Sequence, residues 1–497
     1  MAVSDGESVT VVKDMGLVTA VFEERTLSSL QGHLAVGHVR YSTTGPSTWH
    51  NAQPVYRSVG AAGFALGHNG NLTNTDSLAE AAGMLPGITT SDSDLVAELM
   101  AREYPLEKPD EPIGGLGGLD GIGGVGGLDG LGGLDGIGGL GGLDEPDAGS
   151  TAVAAPPPAW ERPTDQLETA LLAVLPQLEG AFSFGLMDDT HLVGVRDPHG
   201  FRPLCLGRLD LDDGARAGWV IASESPALAV VGATFVREIE PGEMVVIDEN
   251  GPRSVWPFAS GQVDPRLCVF EFVYFARPDS ILHGREVYAA RRRMGELLAE
   301  RYPVVADLVM GVPDSGASAA EGYANRSGIP FGQGLVKNRY IGRTFIAPTP
   351  EARALGVRRK LNPLSSTIEG KRLVVIDDSI VRGTTTRQLV KMLREAGAAE
   401  VHLRISSPPF RWPCFYGIDT PDRDELIAAQ LSVPEITEHL GADSLSYLSI
   451  EHLMDAVGEP GPGQGYCHAC LTGEYPTAVP VELRMGRAAA LAGTVGG

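Results

Sequence analysis

The chain has 497 residues, 43% of them hydrophobic, with 63 acidic against 39 basic side chains and a formal net charge of −24. That length supports two or three domains with full cores, and the charge argues against general nucleic-acid binding and against docking on acidic membrane surfaces. No uninterrupted apolar run is long enough to span a bilayer, and the polar, acidic start Met1-Ala2-Val3-Ser4-Asp5-Gly6-Glu7 is not a signal peptide, so cytoplasmic location is the default expectation.

The first part, residues 1–255, reads as a β-rich α/β unit. Strands are expected at 9–12, 35–41 and 63–66, broken by Gly, Asn and Pro, and a helix at 94–102. Residues 113–143 are almost only Gly, Leu, Ile, Val and Asp, and a Pro-rich stretch follows at 156–158. The unit Gly-Gly-Leu-Asp ends at Asp120, Asp129, Asp135 and Asp144, a spacing of nine, six and nine. A calcium-binding β-roll needs a regular nine-residue period and a different Gly/Asp order. A disordered surface insertion at about 106–162 is therefore expected. A helix at 165–178 starts from a plausible Thr164 N-cap. Strands return at 181–187, 191–195, 219–222 and 244–247.

The second part, residues 265–460, reads as a doubly wound α/β domain. A helix at 287–302 precedes a strand at 307–310; a strand at 373–376 leads into a helix at 385–396, and 401–405 reads as the next strand. In Val374-Val375-Ile376-Asp377-Asp378-Ser379-Ile380-Val381-Arg382-Gly383-Thr384-Thr385-Thr386, an apolar strand ends in two acids and a small-residue loop opens a helix. Loop amides at a helix N-terminus can hold a phosphate, here at Arg382, Gly383, Thr384, Thr385 and Thr386. Asp377 and Asp378 can hold a sugar's vicinal hydroxyls and Mg²⁺, which prefers oxygen ligands. No Gly-Lys-Ser/Thr follows, so this is not a Walker A loop. The run resembles the signature of phosphoribosyltransferases that use phosphoribosyl pyrophosphate (PRPP). A second loop, Gly311-Val312-Pro313-Asp314-Ser315-Gly316, has the same strand-to-helix setting, and Ser315 could reach Mg²⁺. Lys337, Arg339, Arg343, Arg353, Arg358, Arg359 and Lys360 face one acid, Glu351, between residues 335 and 362. That basic stretch reads as a lid over the leaving pyrophosphate, with Lys337, Arg339 and Arg343 as its clamp.

The first part also contains Gly37-His38-Val39-Arg40-Tyr41-Ser42-Thr43-Thr44-Gly45, Gly67-His68-Asn69-Gly70-Asn71-Leu72 and Ser91-Asp92-Ser93-Asp94. These motifs resemble the glutamine-amidotransferase domains of the N-terminal-nucleophile family. With the two transferase loops, nearly the whole chain is similar to the amidophosphoribosyltransferases of purine synthesis. The resemblance implies an αββα amidotransferase domain feeding ammonia to a type I phosphoribosyltransferase domain. It implies that Arg40 binds the glutamine α-carboxylate, Asp92 its α-amino group, and Asn69 with the Gly70 amide the oxyanion. Read without it, Asn69-Gly70 is a hairpin-turn signal and Arg40 a structural ion-pair residue. One departure stands out: members of the family begin with a nucleophilic Cys, and here no Cys precedes Cys205. The expectation is that a first strand and helix are missing, that a start codon lies upstream, and that the chain as written uses ammonia only.

The five cysteines are too few and too spread for a secreted disulfide framework. Cys467-His468-Ala469-Cys470, in a C-terminal tail at 461–497, could alone be a zinc site, a redox pair or nothing. The resemblance matches Cys268, Cys414, Cys467 and Cys470 to the ligands of a structural 4Fe-4S cluster, leaving Cys205 as a core thiol. It also implies feedback inhibition by purine nucleotides and a homotetramer. Two rival readings remain open from the sequence: a salvage phosphoribosyltransferase taking a nucleobase, and a non-catalytic sensor of PRPP or nucleotides.

Overall fold

The structure is a computed structural model that describes residues 1–40, 48–60, 62–85, 89–105, 166–210, 217–338, 360–418, 420, 422–461 and 463–479. The Gly-rich insertion, the Thr164 cap, Tyr41, Arg339 and Arg343 lie outside the described residues.

In the first half a six-stranded antiparallel sheet runs in the order Gly251–Val255, Met244–Asp248, Leu192–Arg196, Gly180–Met187, Ala62–Leu72, Val55–Val59. Its side chains alternate between two faces. Phe64, Leu66, Phe182, Phe184, Leu186, Val193 and Val195 point to one side, where the helices Asp92–Glu103 and Gln166–Val174 bury Leu95, Met100, Leu167 and Leu171 against them. Ala65 and Met187 point to the other side, against Ala2 and Val36 of a small sheet. That sheet sets Ala2–Ser4 between Val9–Val11 and Leu34–Val36. A third sheet, Thr234–Glu238, Cys205–Asp210, Ala217–Ala222, covers Val245 and Ile247 with Leu204 and Leu206. The expected absence of a core strand finds no support in this packing, because Ala2, Val3 and Ser4 are all buried and paired on both edges.

Two strand expectations shift. The strand foreseen at 35–41 is Leu34–Val36, and that at 63–66 runs from Ala62 to Leu72. The Asn69-Gly70 pair therefore sits inside a ladder with the strand Gly180–Met187, Asn69 opposite Ser183 and Gly70 opposite Phe182, and not in a hairpin turn. Pairing with a fully buried partner overrides the local turn preference.

The second half is a parallel sheet in the order Leu308–Gly311, Arg372–Asp377, Glu400–Ile405, Ser444–Tyr447. Val309, Val374 and Ile376 enter one core with the helices Val287–Arg301 and Ala317–Ser327. Leu308, Met310, Leu373 and Val375 enter the opposite core with Thr384–Glu395 and Val433–Leu440. This is the doubly wound arrangement. The strand Gly465–Cys467 pairs in parallel with Arg266–Cys268, which ties the described part of the C-terminal segment to the start of this half. The two halves meet where Phe201 stacks on Tyr416, ring centroids 4.2 Å apart.

Candidate active sites

The strand Arg372–Asp377 is apolar because both its faces are covered, and it turns polar where it leaves the sheet. Leu373 to Ile376 are fully buried and Asp378 is only 7% exposed. The loop after the neighbouring strand lies directly against this end: the Val312 amide donates to the Ile376 carbonyl at 2.8 Å. A Cβ on Gly316 would stand 2.3 Å from that same oxygen, so only glycine permits the approach. Ser315 donates its hydroxyl to Asp378, and the Ser379 hydroxyl does so at 2.5 Å. The two loops foreseen from sequence thus converge on one carboxylate.

Burial, then the charge of Asp378, pushes Asp377 well above the usual carboxylate range. Burial also raises Asp378, against the pull of Ser315, Ser379 and the Arg291 guanidinium. Two such carboxylates are poised to take up positive charge. Among the described residues no three His, Cys, Asp or Glu side chains are set to hold one metal ion. Mg²⁺ does not need such a cage, since it keeps several waters and takes one or two carboxylates plus substrate phosphates.

Beyond the acids, Gly383 opens the helix Thr384–Glu395 with φ 76°, and a Cβ there would meet Ile427 Cδ1 at 2.7 Å. Thr386 is buried while Thr384 and Thr385 are exposed at the helix N-terminus, which has no side-chain cap. That leaves its first amides for an anion. Arg382 does not point into the loop; it is ion-paired with Glu425. Lys337, on the strand Leu335–Lys337, reaches the second loop and pairs with Asp314. Incoming phosphate would compete for it. Lys337→Ala is expected to weaken binding of a diphosphate group about tenfold, the loss of one charge-assisted contact; calorimetric titration with inorganic pyrophosphate checks this.

In the first half, Asp92 occupies the first turn of its helix, one residue beyond the cap Ser91. Burial pushes its carboxyl up, but His68 and the amides of Leu72 and Ser93 outweigh that and hold it below the usual range. His68 Nδ1 lies 3.6 Å from Asp92 Oδ2 and 3.2 Å from Ser93 Oγ, and Gln53 donates to Ser93 at 3.0 Å. Both His68 contacts use one nitrogen, so this is a positioning network and not a Ser-His-Asp relay. Arg40 is half-buried, and Asp92 is the charge that offsets its desolvation. Burial, with His68 and Arg40 nearby, pushes His38 down to about 4, so it is neutral at pH 7. Asp92 is thus within electrostatic reach of Arg40 and of His68, and Asn69 and Gly70 follow His68 along the strand Ala62–Leu72. The sequence reading missed Gln53, His68 and Ser93 as the supports of Asp92. His68 and Ser93 stood within the quoted motifs, but a buried network has no local signature. Asn71 donates to the Phe415 carbonyl at 3.0 Å, joining this strand to the second half.

Cys268 and Cys467 are register partners in adjacent parallel strands, Cys470 lies in the helix Ala469–Thr472, and Cys414 precedes Tyr416. Burial pushes the Cys268 thiol up to about 12 and the other three upward, and the four act on one another. A single zinc ion would hold four sulfurs about 3.8 Å apart, an arrangement absent among the described residues. A 4Fe-4S cluster binds each thiolate through a different iron, which allows wider spacing. Cys205 is elsewhere, donating to the Ala222 carbonyl at 3.3 Å, with its thiol also pushed up to about 12 by burial.

Comparison with known proteins agrees with both halves. The family description "Glutamine amidotransferases class-II" matches residues 4–109 and "Phosphoribosyl transferase domain" matches residues 279–406. The amidophosphoribosyltransferase of Mycobacterium tuberculosis H37Rv is 47% identical over 500 residues, covering 98% of this chain and 82% of the relative. That of Bacillus subtilis 168 is 41% identical over 481 residues, covering 96% and 87%. The solved structure of the B. subtilis glutamine PRPP amidotransferase with ADP and GMP superposes with TM-score 0.76 at 40% identity, covering 97% of this chain and 91% of that one.

Proposed function

The chain belongs to the amidophosphoribosyltransferase family, and on that footing we propose how its residues divide the making of 5-phosphoribosylamine and pyrophosphate from PRPP and glutamine-derived ammonia, the entry to purine synthesis. The observation that carries the reading is the convergence of two anion loops on the pair Asp377 and Asp378. Asp377 and Asp378 hold the ribose hydroxyls, and the amides of Gly383, Thr384, Thr385 and Thr386 hold the 5′-phosphate, with Arg382 released from Glu425 on binding. Lys337, with Arg339 and Arg343, clamps the diphosphate. Ser315, Asp377 and Asp378 would hold Mg²⁺, which supplies charge neutralisation to the leaving pyrophosphate. The nitrogen lone pair forms the bond to the anomeric carbon as the bond to the pyrophosphate oxygen breaks. Closure must exclude water, because the oxocarbenium-like state reacts with it.

In the other half, Arg40 takes the glutamine α-carboxylate and Asp92 the α-amino group, while Asn69 and the Gly70 amide face the developing oxyanion. A neutral His38 leaves Arg40 as the cation offered to the carboxylate. Ammonium, supplied directly, is the donor that reads the transferase half by itself. Pyrophosphate release from PRPP and Mg²⁺ with ammonium tests the assignment.

Cys268, Cys414, Cys467 and Cys470 would hold a structural 4Fe-4S cluster; the burial of Cys268, Cys467 and Cys470, with Cys414 half-buried, and the mutual electrostatic reach of the four thiols support it. Cys268→Ser and Cys467→Ser are each expected to lose bound iron after anaerobic reconstitution, whereas Cys205→Ser keeps it; iron analysis per chain decides this. The ADP and GMP bound by the B. subtilis protein support purine nucleotides as inhibitors here too. The same reading carries a homotetramer in the cytoplasm, where purine synthesis draws on PRPP.

A further inference from the structure

We propose that Arg202 is the internal counter-cation of the cysteine-bound iron–sulfur group, supplied by the amidotransferase half to the two segments that carry Cys268 and Cys414. This rests on the cluster reading and adds to it a positioning residue.

Phe201 and Arg202 form a plug in a socket built by the second half. The Cys268 amide donates to the Phe201 carbonyl at 3.1 Å, and Phe201 stacks on Tyr416 with the rings 12° from parallel. Arg202 is 4% exposed. Its Nη1 donates to Glu271 Oε1 at 2.7 Å and its Nε to the Tyr416 carbonyl at 3.2 Å, with the guanidinium carbon 4.7 Å from the centre of the Phe275 ring. Gly417 has φ 114°, and a Cβ there would lie 2.5 Å from Arg202 Nη2, so the socket is shaped to admit this side chain. One guanidinium from the first half is thereby fixed to the segment three residues after Cys268 and to the segment two residues after Cys414. Its charge reaches both thiols.

Four thiolates around an iron–sulfur core make a net anion. Burying it away from water requires a fixed positive charge close by, and Arg offers one that cannot be neutralised. Glu271 opposes that charge. The two residues should therefore act on the cluster with opposite sign, which a merely structural salt bridge would not do. Removing the cation makes a cluster easier to oxidise; removing the carboxylate makes it harder.

The test uses the full chain, reconstituted anaerobically with iron and sulfide, as wild type, Arg202→Met, Arg202→Lys and Glu271→Gln. Iron per chain and the rate of loss of visible iron–sulfur absorbance in air are measured. Arg202→Met should bleach several-fold faster than wild type, Arg202→Lys should fall between them, and Glu271→Gln should bleach more slowly. Faster bleaching of Glu271→Gln, or an Arg202→Met rate equal to wild type, would overturn the counter-charge role while leaving the cluster intact. Should Arg202→Met fail to fold, the sign of the Glu271→Gln change still decides. Wild-type protein that takes up no iron would sink the cluster reading itself, and the role of Arg202 with it.

Discussion

Replacing Asp377 and Asp378 together by Asn is expected to lower ammonium-dependent pyrophosphate release by at least about 10³-fold while leaving the chain folded. The loss follows from geometry. These carboxylates stand at the carboxyl end of the buried strand Arg372–Asp377, flanked by both anion loops, and Ser315 donates to one of them. Asn keeps the size and some hydrogen bonding but removes the charge that would hold Mg²⁺. Stability should move the other way. Both acids are raised in the folded state, chiefly by burial. A raised carboxyl contributes stability at pH below its unfolded value, near 3.9, and loses it as pH climbs through the folded value. At neutral pH the pair is thus a cost without its ligands. The thermal midpoint of the double variant relative to the wild type should rise as pH climbs from about 4, and Mg²⁺ with PRPP should stabilise the wild type. The double variant should show no response to Mg²⁺ with PRPP. Retained turnover in the double variant would move the active site elsewhere.

A large loss of stability is expected from Gly70→Ala. A Cβ at Gly70 would stand 2.0 Å from the Ala181 carbonyl oxygen and 2.9 Å from His68 Nε2, and the residue has φ 152°. The strand cannot retreat, because Gly70 is paired with Phe182 in the middle of an eight-residue ladder with the neighbouring strand. About 3 kcal/mol or more of destabilisation is expected, the range for strain at a special backbone position. Gly185→Ala is the control on the partner strand. A Cβ there meets nothing within 4 Å, so it should cost less than about 1 kcal/mol. Denaturant or thermal unfolding of the two variants checks the contrast, and equal stability would contradict the close approach.

Much of the transferase site was legible because its chemistry is written locally. The acid pair, the Gly-Thr loop and Ser315 each follow a strand, and the parallel sheet brings all strand ends to one edge. The contacts around these loops were not legible. Ser315 reaching Asp378, Lys337 reaching Asp314 and Arg382 turning to Glu425 depend on segments far apart in the chain. In the amidotransferase half, Asn69-Gly70 carries a strong local turn preference that the six-stranded sheet overrides. The buried set of Gln53, His68 and Ser93 joins three elements and has no spacing to read. The same holds for Arg202, whose role depends on two segments of the other half. The cysteines lay far apart in sequence, and only the parallel pairing of Arg266–Cys268 with Gly465–Cys467 brings two of them side by side.

The most direct test of the central claim is pyrophosphate release by the purified full chain from PRPP and Mg²⁺, with ammonium as the nitrogen donor. The account predicts ammonium-dependent release in step with 5-phosphoribosylamine, abolished in the Asp377→Asn/Asp378→Asn variant. A folded chain that binds PRPP yet releases no pyrophosphate would contradict it and favour a sensor that binds without turnover.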